Sequence, residues 1–145
     1  MRSREEIIQD FVRQWLAKAE TDLAAAGILW EAAPADYYPC AFHCQQAAEK
    51  FIKAYLVCQQ VEFRKTHDLE YLLALAVQVE PGIEATLISS TWLTPFGVEF
   101  RYPGEYPEVD RATAQKALAE ARHVRRVITE RLAPCLSSQV GSKEG

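Results

Sequence analysis

The chain has 145 residues, 49% of them hydrophobic and 25% charged, with a formal net charge of −4 and a pI near 5.4. That balance is ordinary for a globular chain, whose folded state at this length buries about 68–70% of the unfolded surface. The acidity argues against a protein that coats nucleic acid through bulk charge, and the apolar runs fall far short of the roughly 20 residues a membrane span needs.

The first predicted element runs from about Arg4 to Ala33. Ile8, Phe11, Val12, Trp15, Ala19, Leu23, Ala26 and Trp30 hold a helical period, with Glu5, Glu6, Arg13, Lys18 and Glu20 on the other side. Asp22 interrupts the apolar flank. It either stays wet at the edge of the stripe or pairs with a cation of the second helix, Lys50 or Lys53. No apolar stretch follows Met1-Arg2-Ser3-Arg4-Glu5-Glu6, so no signal peptide is expected. Asp36 is an expected N-cap of the second helix, and Pro39 falls in its first turn, where a missing N–H costs little.

That second helix, from Tyr38 to about Gln60, carries two kinds of face. Cys40, Cys44, Ala47, Ala48, Phe51, Ile52, Tyr55 and Leu56 form an apolar stripe; His43, Gln46, Lys50 and Lys53 recur at similar steps as a polar row. Thr66 or Asp68 is expected to cap a third helix bearing Leu69, Leu72, Leu73, Leu75, Ala76 and Val79, which Pro81-Gly82 stops. A shorter helix is expected over about Ile83–Leu93. From Thr94 to Pro107 three prolines, two glycines and four aromatics exclude a regular helix, and long aromatic loops usually serve a function. Asp110 is expected to cap a last long helix with Ala114, Ala117, Leu118, Ala121, Val124, Ile128 and Leu132 inside. No strand-period segment of convincing length occurs. The expectation is an all-α, up-and-down bundle of four to five helices over residues 4–136, with residues 137–145 a disordered tail.

The four cysteines, Cys40, Cys44, Cys58 and Cys135, include no CxxC pair. Together with the missing signal peptide, that predicts reduced thiols and a cytoplasmic protein. Cys40, Cys44, His43 and His67 match no common zinc spacing, so neither a metal nor a cofactor is expected. If the polar row faces the aromatic loop, Gln46, Lys50, Lys53 and Arg101 make a small basic pocket for a phosphate or nucleotide, with Tyr102 and Tyr106 as stacking surfaces. The plainer alternatives are solvated lysines, a histidine bonded to Asp22 or to a backbone carbonyl, and loop aromatics that only pack.

Three blocks of the chain resemble HEPN domains: Trp15-x3-Ala19-x2-Asp22-Leu23-x2-Ala26, Phe42-His43-x-Gln45-Gln46-Ala47-x-Glu49-Lys50-x2-Lys53-Ala54, and Thr66-His67-Asp68-Leu69. The likeness covers about residues 10–133, and the second block is its specific part. It implies a helical bundle that commonly dimerises, with a cleft near the dimer interface. Many such proteins are metal-independent RNases, often toxins encoded beside a minimal nucleotidyltransferase that acts as antitoxin. Others bind nucleotides or are non-catalytic. The RNases carry Arg-x4-6-His near the start of the last helix, the arginine on phosphate and the histidine in acid–base cleavage through the RNA 2′-hydroxyl.

This chain departs at that motif. Arg101 is followed at the three relevant positions by Tyr106, Pro107 and Glu108, none of them histidine. Tyrosine, with an ordinary pKa near 10, is a poor general base at neutral pH. Arg101, Tyr106 and His43 are therefore weak catalytic candidates. The expectation leans away from an enzyme and towards a homodimeric accessory protein that binds a nucleotide or RNA, or partners a nucleotidyltransferase. The alternatives are an RNase toxin with a degenerate Arg-x4-Tyr site and a purely structural interaction module.

Overall fold

The computed structural model describes residues 1–98, 104–105 and 107–144, with side chains up to residue 137. Its elements are all helical: α1 (Arg4–Glu31), α2 (Tyr38–Cys58), α3 (Leu69–Val79), α4 (Ile83–Leu87), a 3-10 stretch (Ile88–Gly97) and α5 (Arg111–Glu144). No strand occurs among the described residues, and the expected all-α bundle is what the chain forms.

Local chemistry sets most of the boundaries. Ser3 opens α1 with a capping box: its side chain accepts from the Glu6 N–H while the Glu6 side chain reaches back to the Ser3 N–H. Asp68 caps α3 by accepting from the N–H groups of Glu70 and Tyr71, and Thr66 in turn accepts from the Asp68 N–H. Asp110 accepts from the Thr113 N–H at 2.7 Å as α5 begins. Asp36 works across a longer span than the sequence suggests. Its Oδ1 takes the N–H of Tyr38 at 3.0 Å and of Val109 at 3.4 Å, tying the entry to α2 to the entry to α5.

The second helix is the centre of the bundle. Of its 21 residues 14 are buried, because α1, α3, α5 and the 3-10 stretch all pack on it. Val12, Ala19 and Ala26 give α1 a seven-residue row of buried, mostly small side chains that lets α2 approach closely. Phe51, Ile52, Tyr55 and Leu56 fill the middle together with Leu69, Leu72, Ile83, Leu87, Leu93, Ile128 and Leu132.

Two stretches differ from the sequence pattern. The helix expected over Ile83–Leu93 gives way after Leu87 to a 3-10 stretch that continues through Pro95 to Gly97. The hydroxyls of Thr86, Ser90 and Thr91 donate to the carbonyls three residues back at 2.6–2.7 Å, which favours the tighter winding. At the other end α5 runs past Pro134 to Glu144, across residues 137–144 of the expected disordered tail. The turn after Pro134 has anchors that sequence cannot reveal: Gln9 Nε2 donates to the Cys135 carbonyl at 2.9 Å, and Leu136 packs on the core.

Candidate functional site

The polar row of α2 does not stay together. At about 100° per residue, His43 and Lys50 differ by only about 20° around the helix, as do Gln46 and Lys53, but the two pairs are about 60° apart. Each pair therefore meets a different neighbour.

His43 and Lys50 turn towards α1, where Asp22 is only 8% exposed. His43 Nδ1 bonds Asp22 Oδ1 at 2.9 Å, and Lys50 Nζ donates to Asp22 Oδ2. Both carboxylate oxygens are thus satisfied across the α1–α2 seam. An ionised carboxylate only accepts, so the His43 hydrogen lies on Nδ1. His43 is thereby held by Nδ1 against α1, with its side chain 33% exposed.

Lys53 lies in the second cluster. Its side chain is 6% exposed, and Nζ donates to Glu49 Oε2 at 2.8 Å and to the Thr66 carbonyl at 3.0 Å. The ammonium also sits 5.3 Å from the Trp15 ring centroid and 5.7 Å from that of Phe63. Geometry commits this lysine to the interior, so its charge is spent on Glu49 and not offered to a phosphate. Glu49, at 2% exposure, uses its other oxygen to bond His67 Nδ1 at 2.7 Å.

Gln45 and Gln46 extend this cluster outward. Gln45 Nε2 donates to the His67 carbonyl at 2.9 Å and lies 3.4 Å from Glu49 Oε1, while Gln46 Nε2 donates to Gln45 Oε1 at 2.7 Å. The buried Gln45 is pressed by Gly97, where a Cβ would come within 2.7 Å of its Cδ. Only glycine lets the 3-10 stretch approach α2 this closely. Tyr38 holds the end of that stretch from the other side, donating its hydroxyl to the Val98 carbonyl at 2.7 Å. Burial pushes the Tyr38 phenol above its ordinary value, with Asp36 adding to the effect.

A surface groove of about 620 Å³ results, lined by Phe42, Gln46, His67, Thr94, Gly97 and Val98. Asp68 and Glu70 also border it. His67 is the half of the Glu49–His67 pair that reaches water, with a side chain 60% exposed. With Nδ1 turned to Glu49, Nε2 has no partner among the described residues. Phe96 packs behind the groove, edge-on to Trp92 at 5.2 Å and to Tyr38 at 6.2 Å, so this loop aromatic is packing rather than a platform.

Of the residues singled out from sequence, the structure therefore brings together Asp22, His43 and Lys50 in one cluster and Lys53 and Gln46 in another. Arg101, Tyr102 and Tyr106 lie outside the described residues. Cys40, Cys44, His43 and His67 do not converge, and no group of three metal-ligating side chains occurs among the described residues. Gln45 and Glu49 are not among the site residues the sequence singles out, and His67 enters there only as a metal-ligand candidate and within the third HEPN-like block. Their signal was present as Gln45, Glu49 and Lys53 at successive four-residue steps, polar side chains placed beside core positions.

Comparison with known proteins bears on the whole arrangement. The HEPN domain family model matches residues 12–132. The chain is similar to the crystal structure of TT1696 from Thermus thermophilus, with a TM-score of 0.71 and 25% identity over 83% of this chain and 98% of that one. It is also similar in fold to ST0689, an archaeal HEPN homologue, with a TM-score of 0.66 and 24% identity over 83% and 97% of the respective chains. No curated protein matches. Glu49, Lys50, Lys53 and His67, the residues that hold the two clusters together, all fall inside the matched span, and the chain belongs to the HEPN domain family.

Proposed function

We propose that this HEPN protein is a binding or accessory protein rather than a nuclease. In this reading it acts as a homodimer, takes a nucleotide or an RNA segment at the groove beside Phe42, Gln46 and His67, and works with a minimal nucleotidyltransferase in a toxin–antitoxin-like pair. The observation that carries the proposal is the groove itself. Its wall is pinned by the buried Glu49–Lys53 pair, on which the exposed His67 is anchored, and it presents one imidazole and one amide. Arg101 and Tyr102 follow Val98 closely in sequence and are the proposed phosphate and stacking contacts. Lys50 and Lys53 are recast as positioning residues, since both ammonium groups are already paired with carboxylates.

The lack of histidine at the three positions after Arg101 removes the acid–base partner of the family's RNase motif. A thermal-shift series with nucleotides and short RNAs tests the binding role. A ligand at a hundred times its Kd adds about 2.7 kcal/mol to the native state, which raises Tm by several degrees, and His67→Ala with Gln46→Ala should abolish the rise. No shift with any nucleotide or RNA would leave a structural interaction module. RNA cleavage above an Arg101→Ala control would reinstate the nuclease.

A further inference from the structure

The four cysteines form two contacting pairs of opposite character. Cys40 and Cys44 have no exposure at all, hydrogen-bond to one another, and are held inside by the Cys40 thiol donating to the Ala26 carbonyl at 3.3 Å. Cys58 and Cys135 also hydrogen-bond to one another, but both are only half-buried. Cys58 is the last residue of α2, and Cys135 follows Pro134 on α5, so this pair bridges two separate helices. The two thiols line a surface cavity of about 520 Å³ beside Arg4, Gln9 and Gln60. Gln9 holds the Cys135 carbonyl at 2.9 Å and so fixes the backbone that carries one of them.

We propose that Cys58 and Cys135 are a redox modification site, which a peroxide converts to a reversible intramolecular disulfide between α2 and α5. Small peroxides enter through the cavity, and the resolving thiol is already in contact with the attacked one. Burial, and then the hydrogen bond with Cys135, push the Cys58 thiol up, which disfavours Cys58 as the first attacking sulfur. The Cys135 sulfur attacks one peroxide oxygen, the O–O bond breaks, and the departing hydroxide takes a proton to leave as water. Cys135 is then a sulfenic acid. The Cys58 sulfur next attacks the Cys135 sulfur. The S–O bond breaks, the S–S bond forms, and the hydroxyl leaves as a second water with the Cys58 proton. Each thiol gives up one electron and the peroxide accepts both. A dithiol reductant reverses the change by exchange. The sealed Cys40–Cys44 pair has no such access and stays reduced.

The link would close a loop over residues 59–134 and restrict the unfolded chain, so the oxidised protein should melt several degrees higher than the reduced one. The test is to treat the purified full chain with hydrogen peroxide, quench, and map peptides without reduction. The expected result is a Cys58–Cys135 linked peptide in a monomeric chain, loss of half of the four thiols measured after denaturation, and full recovery with dithiothreitol. Cys58→Ala and Cys135→Ala should each prevent the link and the rise in Tm. Circular dichroism of both variants in their reduced state separates a lost link from a lost fold. The proposal is overturned if both thiols remain alkylatable, if Cys135 ends as sulfinic acid, or if the crosslink joins two chains or involves Cys40 or Cys44.

Discussion

At the scale of single residues the two ionic clusters differ in depth, and depth sets what each partner is worth. Glu49 is almost fully enclosed and faces an ammonium that is itself enclosed. Glu49→Ala would leave the enclosed Lys53 ammonium without its carboxylate, which should cost about 3–5 kcal/mol in urea unfolding. Adding Lys53→Met to that variant should restore most of the loss. Asp22→Asn leaves Lys50, whose side chain is 21% exposed, able to find water, so its cost should be smaller, about 1–3 kcal/mol. A larger loss at Asp22 than at Glu49 would contradict this ordering. Tyr55 provides a pH signature. Its hydroxyl donates to Glu80 Oε1 at 2.8 Å, and burial, then that bond, raise its pKa. The unfolded chain therefore loses the phenol proton first, and the contribution of Tyr55, complete below its ordinary value near 10, disappears as pH rises towards the folded value. Tyr55→Phe should flatten the alkaline limb of the stability curve above about pH 10 and cost about 1.5–3 kcal/mol at neutral pH. An alkaline limb of unchanged slope would show that Tyr55 does not titrate in this way.

At the scale of elements the telling case is the contact between α2 and the 3-10 stretch. The sequence marks Thr94–Pro107 as irregular, which Pro95 and Gly97 make legible, but not where Gly97 goes. It goes against Gln45, the residue that carries the hydrogen bonds from Glu49 outward to Gln46. Gly97→Ala must displace that amide, costing about 1–3 kcal/mol and loosening the groove wall. Loss of nucleotide- or RNA-dependent thermal shift with only a modest fall in Tm is the expected outcome; an unaffected shift would detach the groove from the binding role. The polar row of α2 illustrates the same point. Spacing alone suggested one face, and a drift of about 60° between its two pairs was enough to send them to different neighbours.

For the whole molecule the hydrophobic pattern carries the argument. Phe51, Ile52, Tyr55 and Leu56 were legible as core because they recur at helical steps, and all four are buried. Phe51→Ala removes the largest apolar group from the centre of α2 and should cost about 3–5 kcal/mol. Helicity and tryptophan fluorescence should still lose signal together, because the elements share one core around α2. Separate transitions by the two probes would instead point to independent folding units. The candidate site was legible only in part. Asp22 is visible as a carboxylate out of place on an apolar stripe, and the sequence offers both Lys50 and Lys53 as partners. The choice of Lys50 rests on helix rotation, whereas Glu49 and Lys53 pair one turn apart within α2, and the loop of residues 61–66 then brings Phe63 and the Thr66 carbonyl over that lysine.

By itself the sequence determined the class of fold, the identity of the central helix, the cap at Asp110, a cap at Thr66 or Asp68, and the missing histidine after Arg101. These follow from local rules: apolar periodicity, side chains that satisfy nearby N–H groups, and chemistry that a residue either has or lacks. Only the tertiary structure decided which cation meets Asp22, that Glu49 and His67 form the inner wall of a groove, and that Cys58 meets Cys135. Those outcomes depend on the rotation of each helix and on contacts between distant parts of the chain. Spacing along the sequence limits such contacts without selecting among them.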